Sequence, residues 1–320
     1  MSVTTSAVSN LYSDIVADLL PFYSNRVLVP NPSIISTMYN LEGSVGNQVK
    51  IPVTNSYGTA NVSIGDAQSI LALSGTNHDF GPSNVILSVN KRGAASNVSL
   101  ESIEDTGVGV VAQATATRIA SSLAISTDTA AFRVMASGGE TALTDLANVD
   151  VGMDGVASGD AVGDCEIALV FSPDAMAMAE KRSVEVKAFE DIDFDLIQYV
   201  GTVRNGFARP YSTFIRAVAT KEGIGGTANV ATLDSFSTSV ANLRNVNAPT
   251  DALGFYNAVI TPAQELALAK ELNGLGASSG SIGSVAQDLA NDALLNNLLT
   301  YAIGCRWIRS NNLPGGLASA

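Results

Sequence analysis

Residues 9–20, SNLYSDIVADLL, place Leu11, Ile15 and Leu19 four positions apart. That spacing predicts a short amphipathic helix, which Pro21 should end. Residues 21–48 carry Pro21, Pro30 and Pro32 and read as an extended arm. The period then changes. Val49, Ile51 and Val53 alternate with polar residues, and so do Val85, Leu87 and Val89, with polar and glycine clusters between them. Period two across 47–90 predicts a long β-hairpin. A lone two-stranded ribbon is marginal in water, so it is expected to lie on something else.

Residues 99–135 return to a helical pattern. Leu100, Ile103, Val110, Ala114, Ala120, Leu123 and Ala124 form a narrow apolar stripe, and no proline interrupts it. Ser99 suits the N-cap, and Glu101, Glu104 and Asp105 suit the positive end of the dipole. A helix this long would run roughly 50–55 Å, with a kink available at Gly107 and Gly109. Its other face is Ala, Ser and Thr rather than Glu and Lys.

Residues 137–163 are rich in Gly and Asp and read as a crossing between domains. Two similar units follow. ALVFSPDAMAMAEK (168–181) and AVITPAQELALAKE (258–271) each run from an apolar stretch through Ser-Pro or Thr-Pro into a helix-like pattern. Ser172 and Thr261 are expected N-caps with Pro173 and Pro262 at the first helical position. Two such units suggest an α+β domain with a central sheet.

Composition narrows the function classes. Charged residues make up 15% of the 320, against roughly 25% in an average soluble protein. A surface this neutral hints at burial against other subunits. The net charge is −13, and the basic residues are scattered apart from the pairs Lys91-Arg92 and Lys181-Arg182. No basic stripe is present to neutralise phosphates, so sequence-specific nucleic-acid binding is not expected. No apolar run reaches about 18 residues, and the first 20 residues lack the pattern of a signal peptide, so no membrane partner is expected.

Candidate chemistry fails on its own terms. GLGASSGSIGS (274–284) resembles a phosphate-binding glycine loop in composition, but a helix pattern precedes it where a strand is required. It reads as a helix end at Asn273-Gly274 followed by a flexible loop. Asp191, Asp193 and Asp195 alternate, yet Leu196 and Thr202 stand where a calcium loop needs Gly and Glu. An acidic edge, solvated or between subunits, is the simpler reading. His78 is the lone histidine, in a polar stretch with no nucleophile motif. Cys165 and Cys305 read as buried free thiols, and Trp307, between Arg306 and Arg309, as a core or interface aromatic. No catalytic, cofactor-binding or metal-ligating residue is nominated, and no cofactor is expected.

An arm, a long hairpin, a long neutral helix and an α+β domain remain, in an order that resembles the major capsid proteins of tailed bacteriophages. Their HK97-like fold is shared with encapsulins. Residues 1–46 resemble the N-terminal arm. GNQVKIPVTNSYGTANVSIGDA and NVILSVNKRG resemble the two strands of the family's extended E-loop, 47–90. Residues 91–136 resemble the peripheral domain with its spine helix. LDSFSTSVANLRNVNAP, YNAVITPAQELALAKEL and CRWIRSNNLPGG resemble segments of the axial domain, within 137–320 together with return strands of the peripheral domain. VFSPDAMAMAEKR precedes SNNLP here, whereas the order in relatives is the reverse; the strand order of the axial domain is left open.

The resemblance implies a structural, non-enzymatic subunit that assembles with itself as hexamers and pentamers into an icosahedral shell around a double-stranded DNA genome. It also implies a virion protein assembled in the host cytoplasm, with a portal, a separate scaffolding protein and decoration proteins as partners. The stretch from Ile51 to Asn90 has no lysine, so a lysine cross-link from that loop is not expected. An encapsulin-type compartment, or a nucleotide-binding enzyme using 274–280, are the alternatives.

Overall fold

The computed structural model describes residues 5–28, 31, 34–53, 83–137, 166–191, 196–220, 231–278 and 301–313. In chain order these form α1 (Thr5–Arg26), β1 (Thr37–Asn40), β2 (Gln48–Val53), β3 (Ser83–Ser88), β4 (Asn90–Ser99), α2 (Leu100–Thr106) and α3 (Val108–Ser137). Then follow β5 (Glu166–Phe171), β6 (Ala177–Asp191), β7 (Leu196–Ala208), β8 (Ile215–Thr220), α4 (Leu233–Asn245), β9 (Tyr256–Ile260), α5 (Pro262–Ser278), β10 (Tyr301–Ala302) and β11 (Cys305–Arg309).

The strands make three sheets. One is four-stranded, ordered β1-β6-β7-β4. A second is five-stranded, ordered β10-β11-β9-β5-β8. The third is the ribbon β2-β3. The sheets have separate cores. Ile119, Leu123, Tyr199 and Val203 join α1 residues beneath the four-stranded sheet. Phe132, Met135, Leu169, Phe171, Phe236, Tyr256 and Trp307 fill the core of the five-stranded one. Helix α3 serves both, through residues 111–124 in the first core and 130–136 in the second. At 30 residues it runs about 45 Å, which lets one element tie the two together.

Ser99 caps α2 as the sequence implies, its hydroxyl accepting from Ser102 N–H at 3.2 Å. The helix expected over 99–135 is broken at Gly107, which takes φ +92°, a conformation open to glycine without steric cost. Three other expectations need correction. Helix α1 does not stop at Pro21 but passes through it to Arg26. Ile15, Leu19 and Tyr23 continue one buried stripe, and the Tyr23 hydroxyl meets Thr127 Oγ1 at 3.2 Å. Packing on α3 thus outweighs the ~3 kcal/mol that an interior proline costs. The arm expected over 21–48 is accordingly helical at its start and pairs as β1 further on.

The second correction concerns 168–181. Strand β5 and the Ser172 cap form, with Asp174 N–H donating to Ser172 Oγ at 3.3 Å, but only a single 3₁₀ turn follows (Pro173–Ala175). Residues from Ala177 onward are β6, paired parallel with β1 and antiparallel with β7. Ala and Met are good helix formers, but propensity is a weak determinant, and burial between two partner strands overrides it. Third, α5 does not end at Asn273-Gly274 but runs to Ser278.

The second unit matches its reading. Thr261 Oγ1 accepts from Gln264 N–H at 3.2 Å and Gln264 Oε1 accepts from Thr261 N–H at 3.1 Å, a reciprocal cap. Strands β5 and β9 lie side by side in the sheet, antiparallel, with Leu169 opposite Val259. Trp307 sits in β11, edge-to-face with Phe236 at 4.7 Å between ring centroids.

Burial drives a pH dependence. Desolvation pushes the Cys305 thiol up to about 12 from 9.0, and the Tyr23 and Tyr199 phenols to about 12 from 10.0. All three are neutral when folded, and their ionised forms are favoured only on unfolding. Their contribution is therefore complete below pH ~9 and is lost progressively as pH rises toward ~12. Thermal melts should show a transition temperature that these groups leave unchanged up to about pH 9 and that falls steadily above it. A flat profile to pH ~11 would remove this assignment.

Candidate functional site

Most of the candidates for chemistry fall outside the described residues. His78, Cys165, Asp193 and Asp195 lie outside the described residues, as do residues 279–284 of the glycine-rich stretch. Asp191 ends β6. Cys305 is fully buried, its thiol held protonated by loss of solvent, which suits packing rather than nucleophilic chemistry. Among the described residues no cluster of His, Cys, Asp or Glu could hold a metal ion, and no helix is long and apolar enough to cross a membrane. A cleft beside β1 and β6 is lined by Met38, Tyr39, Glu42, Glu180, Lys181 and Arg182. Loss of solvent and the nearby Glu42 charge raise the Glu180 carboxyl.

What the structure does build is a two-stranded ribbon on a prepared seat. Strands β2 and β3 pair antiparallel from Gln48↔Ser88 to Val53↔Ser83. Alternation turns Ile51, Leu87 and the flanking Val49 and Val85 one way, and Lys50 and Ile86 the other. The inward set meets Ala177, Ala179 and Ala208, three small residues that let the ribbon lie close to the four-stranded sheet. The return strand passes through Val89 directly into β4, and Val89 N–H donates to Asn47 O at 2.8 Å.

Gly206 makes that crossing possible. A Cβ there would stand 2.0 Å from Ser88 O and 2.9 Å from Val89 Cα. On the opposite face of β7, a Cβ at Gly201 would stand 2.3 Å from Ile119 Cγ2 of α3. Two glycines five residues apart within one strand are the sequence signal for close approach by other chain segments, and the reading above passed over them.

Polar contacts fix the ribbon's root. Lys181 Nζ donates to Gly46 O and, at 3.0 Å, to Asn47 Oδ1, which also accepts from Arg204 Nη2 at 3.1 Å. Just before the root, Gly43 and Gly46 take φ +73° and +106°, a Cβ built at either would meet no atom within 4 Å, and Val45 is fully exposed. The ribbon is thus anchored by packing and hydrogen bonds on one side and joined by an open turn on the other.

The outward face of α3 is the second surface. Val110, Gln113, Ala114, Arg118, Ser122, Ile125 and Ser126 are exposed, neutral but for one arginine. Val110 and Ile125 are 60% and 52% accessible. A helix that exposes Ala, Ser, Val and Ile has little need of solvent and loses little when covered.

A buried polar clamp holds these parts in place. Asp128 of α3 is wholly buried. Its two carboxylate oxygens accept from Leu28 N–H at 3.1 and 3.2 Å, and Oδ2 accepts from Asn312 Nδ2 at 3.4 Å. Next to it, Thr127 Oγ1 accepts from Asn205 Nδ2 at 3.4 Å, and Asn205 Oδ1 accepts from Arg92 Nε at 2.8 Å. Residues near both ends of the described chain are thereby tied to the same turn of α3.

No known family profile matches the chain, and no curated protein matches it in sequence. Solved structures do match in shape. A chain from the capsid of bacteriophage JBD30 decorated with minor capsid protein trimers aligns over 91% of this chain and 93% of its own. The identity is 11% and the TM-score 0.52. A chain of the bacteriophage JBD30 capsid aligns over 88% and 90%, at 10% identity and TM-score 0.46. The virus-like particle from Pyrococcus furiosus aligns over 63% and 96%, at 8% identity and TM-score 0.40. The first of these shows the fold: the chain has the α+β, HK97-like capsid fold, as its order of segments implied.

Proposed function

We propose that the chain is the major capsid protein of a tailed bacteriophage, a structural subunit that assembles with itself into an icosahedral shell around double-stranded DNA. The observation that carries this reading is the shared fold over nine-tenths of the chain with a subunit of an assembled phage capsid. The surfaces support it. A ribbon with Ile86 exposed on its outer face, and a long helix with a neutral outer face, suit contact with neighbours. In this reading the ribbon lies across an adjacent subunit and the five-stranded body points toward the local five- or six-fold axis. The role is structural rather than enzymatic. A scaffolding protein and portal act in assembly, and decoration proteins bind the finished shell. The shell forms in the host cytoplasm and ends as part of the virion. Individual contacts of this kind are modest, and a closed shell multiplies them.

Negative-stain electron microscopy of the purified chain, alone and with its genomic neighbours, tests the reading. Closed particles, or rings of five and six, are the expected result. Shells holding DNA support the virus, and shells holding a co-purifying enzyme would replace it with an encapsulating compartment. A monomer under every condition would overturn the shell altogether.

A further inference from the structure

The two edges of the four-stranded sheet are unlike each other. One edge is β1, only four residues long. The other is β4, whose ten residues run about 33 Å at ~3.3 Å per residue. β4 pairs with β7 from Asn90↔Asn205 to Ser99↔Leu196 without a bulge. Among the described residues no strand lies on its other side. A long, regular, open edge is a template for another strand, and proteins blunt such edges with lysines, prolines or bulges. Here the stretch from Gly93 to Ser99, GAASNVS, holds neither a charge nor a proline.

The residues along this edge suit a copy of the same strand. Lys91, Gly93, Ala95, Asn97 and Ser99 are exposed, whereas Ala94 and Val98 turn inward to the core beneath the sheet. Opposed residues on antiparallel neighbours point to the same face, so a second β4 must set exposed positions opposite exposed ones. A two-fold axis at Ala95 does this: Ala95 meets Ala95, Gly93 meets Asn97 and Lys91 meets Ser99. No like charges then stand opposite each other across the new pair.

Charge favours this register. Lys91 stands opposite Arg204 of its own β7, a like charge. Ser99 caps α2, whose Glu101, Glu104 and Asp105 are exposed, with no basic residue in its last turn. Like charges three and four positions apart weaken a helix. Lys91 and Ser99 are eight residues apart along β4, about 26 Å at ~3.3 Å per residue, so the lysine cannot reach its own α2. Across the axis, Lys91 of each copy arrives beside the start of the other's acidic helix. An axis at Ala94 would pair as many residues but set Lys91 opposite Asn97, short of that helix.

We propose that the open edge of β4 is a self-association surface, pairing antiparallel with β4 of a second copy of this chain about a two-fold axis at Ala95. The same patch serves both copies, and two four-stranded sheets become one continuous sheet. Backbone hydrogen bonds supply the adhesion, while Lys91 and the α2 carboxylates set the register. The contact rests on the shell reading above, and an icosahedral shell has two-fold axes at which it would sit.

Cysteine coupling tests it. The axis puts the two Ala95 Cα atoms about 4.5–5.5 Å apart, within the span of a disulfide. A95C should therefore give covalent dimers, beyond the wild-type background, on mild oxidation of assembled particles. N97C alone should not, and a mixture of G93C and N97C should. A95K and A95E each set like charges against each other at the axis and should each raise the concentration needed for assembly by about tenfold or more. An equal mixture of the two should assemble close to wild type. Circular dichroism and thermal melts establish that each variant folds; if a charged variant does not, A95C, the smaller change at this exposed position, decides alone. Assembled particles in which A95C does not couple, or A95K that assembles like wild type, would overturn the inference and leave the shell reading intact. Amide exchange that slows across residues 93–99 on assembly without that coupling would also overturn it, giving the edge to a different strand. Covalent A95C dimers from a chain that forms no larger particle would keep the contact and remove the shell. A wild type that stays monomeric throughout would remove both.

Discussion

Gly206→Ala is expected to be the most damaging single change in the described part of the chain. The added methyl would meet Ser88 O at 2.0 Å, Ser88 C at 2.8 Å and Val89 Cα at 2.9 Å, all of them backbone. No side-chain rotation relieves such a clash, so the joint between β3 and β4 has to lift from β7. Overpacking commonly costs ~1–3 kcal/mol, and a backbone displacement belongs at or above the upper end. Lifting the joint also strips Ile51 and Leu87 from the alanine floor at Ala177, Ala179 and Ala208. We expect a loss of about 3 kcal/mol or more in denaturant unfolding, with new protease cleavage within residues 47–90. Gly201→Ala is the informative comparison. Its closest neighbour is the Ile119 side chain at 2.3 Å, which can shift at some cost, so a smaller loss with an intact ribbon is expected. Gly43→Ala has open space and should cost only about 1 kcal/mol, from its φ of +73°. Equal losses at all three positions would refute the crossing as the reason for Gly206.

Asp128→Ala is expected to follow closely. It removes the acceptor for Leu28 N–H and for Asn312 Nδ2 at a carboxylate that is itself closed to solvent. Hydrogen bonds to charged groups contribute ~1.5–3 kcal/mol, and buried donors left unpaired add their own desolvation cost. A loss of about 3 kcal/mol is expected, with faster amide exchange in residues 5–28, because the chain after α1 loses its tether to α3. Asp128→Asn keeps the shape and one acceptor oxygen, so it should retain part of the stability. If Asp128→Ala unfolds within about 0.5 kcal/mol of wild type, the clamp has no energetic role.

The sequence by itself settled the parts that depend on local chemistry. Period two in 47–53 and 83–89 identified the paired ends of the ribbon, since alternation is what a half-buried strand requires. Ser99 and Thr261 marked two helix starts because a hydroxyl can accept from the first free N–H groups. The order of segments implied the fold class, which comparison with a solved capsid bears out. The sequence also turned away catalytic readings, for want of a strand before the glycines and of a partner for His78.

Tertiary contact decided the rest. Pro21 reads as a stop, but Tyr23 needs one more turn to reach Thr127, and packing prevailed. AMAMAEK reads as helix, but two partner strands claimed it as β6. The glycines of 274–278 read as a helix end, yet α5 carries through them. The candidate surface was hidden for the same reason. Nothing near Lys91 in the chain announces Arg204, and nothing near Gly206 announces Ser88; strand pairing across more than 90 residues puts them in contact. Periodicity and capping act within a few residues and can be read along a chain, whereas steric fit and like-charge proximity exist only once distant segments have met.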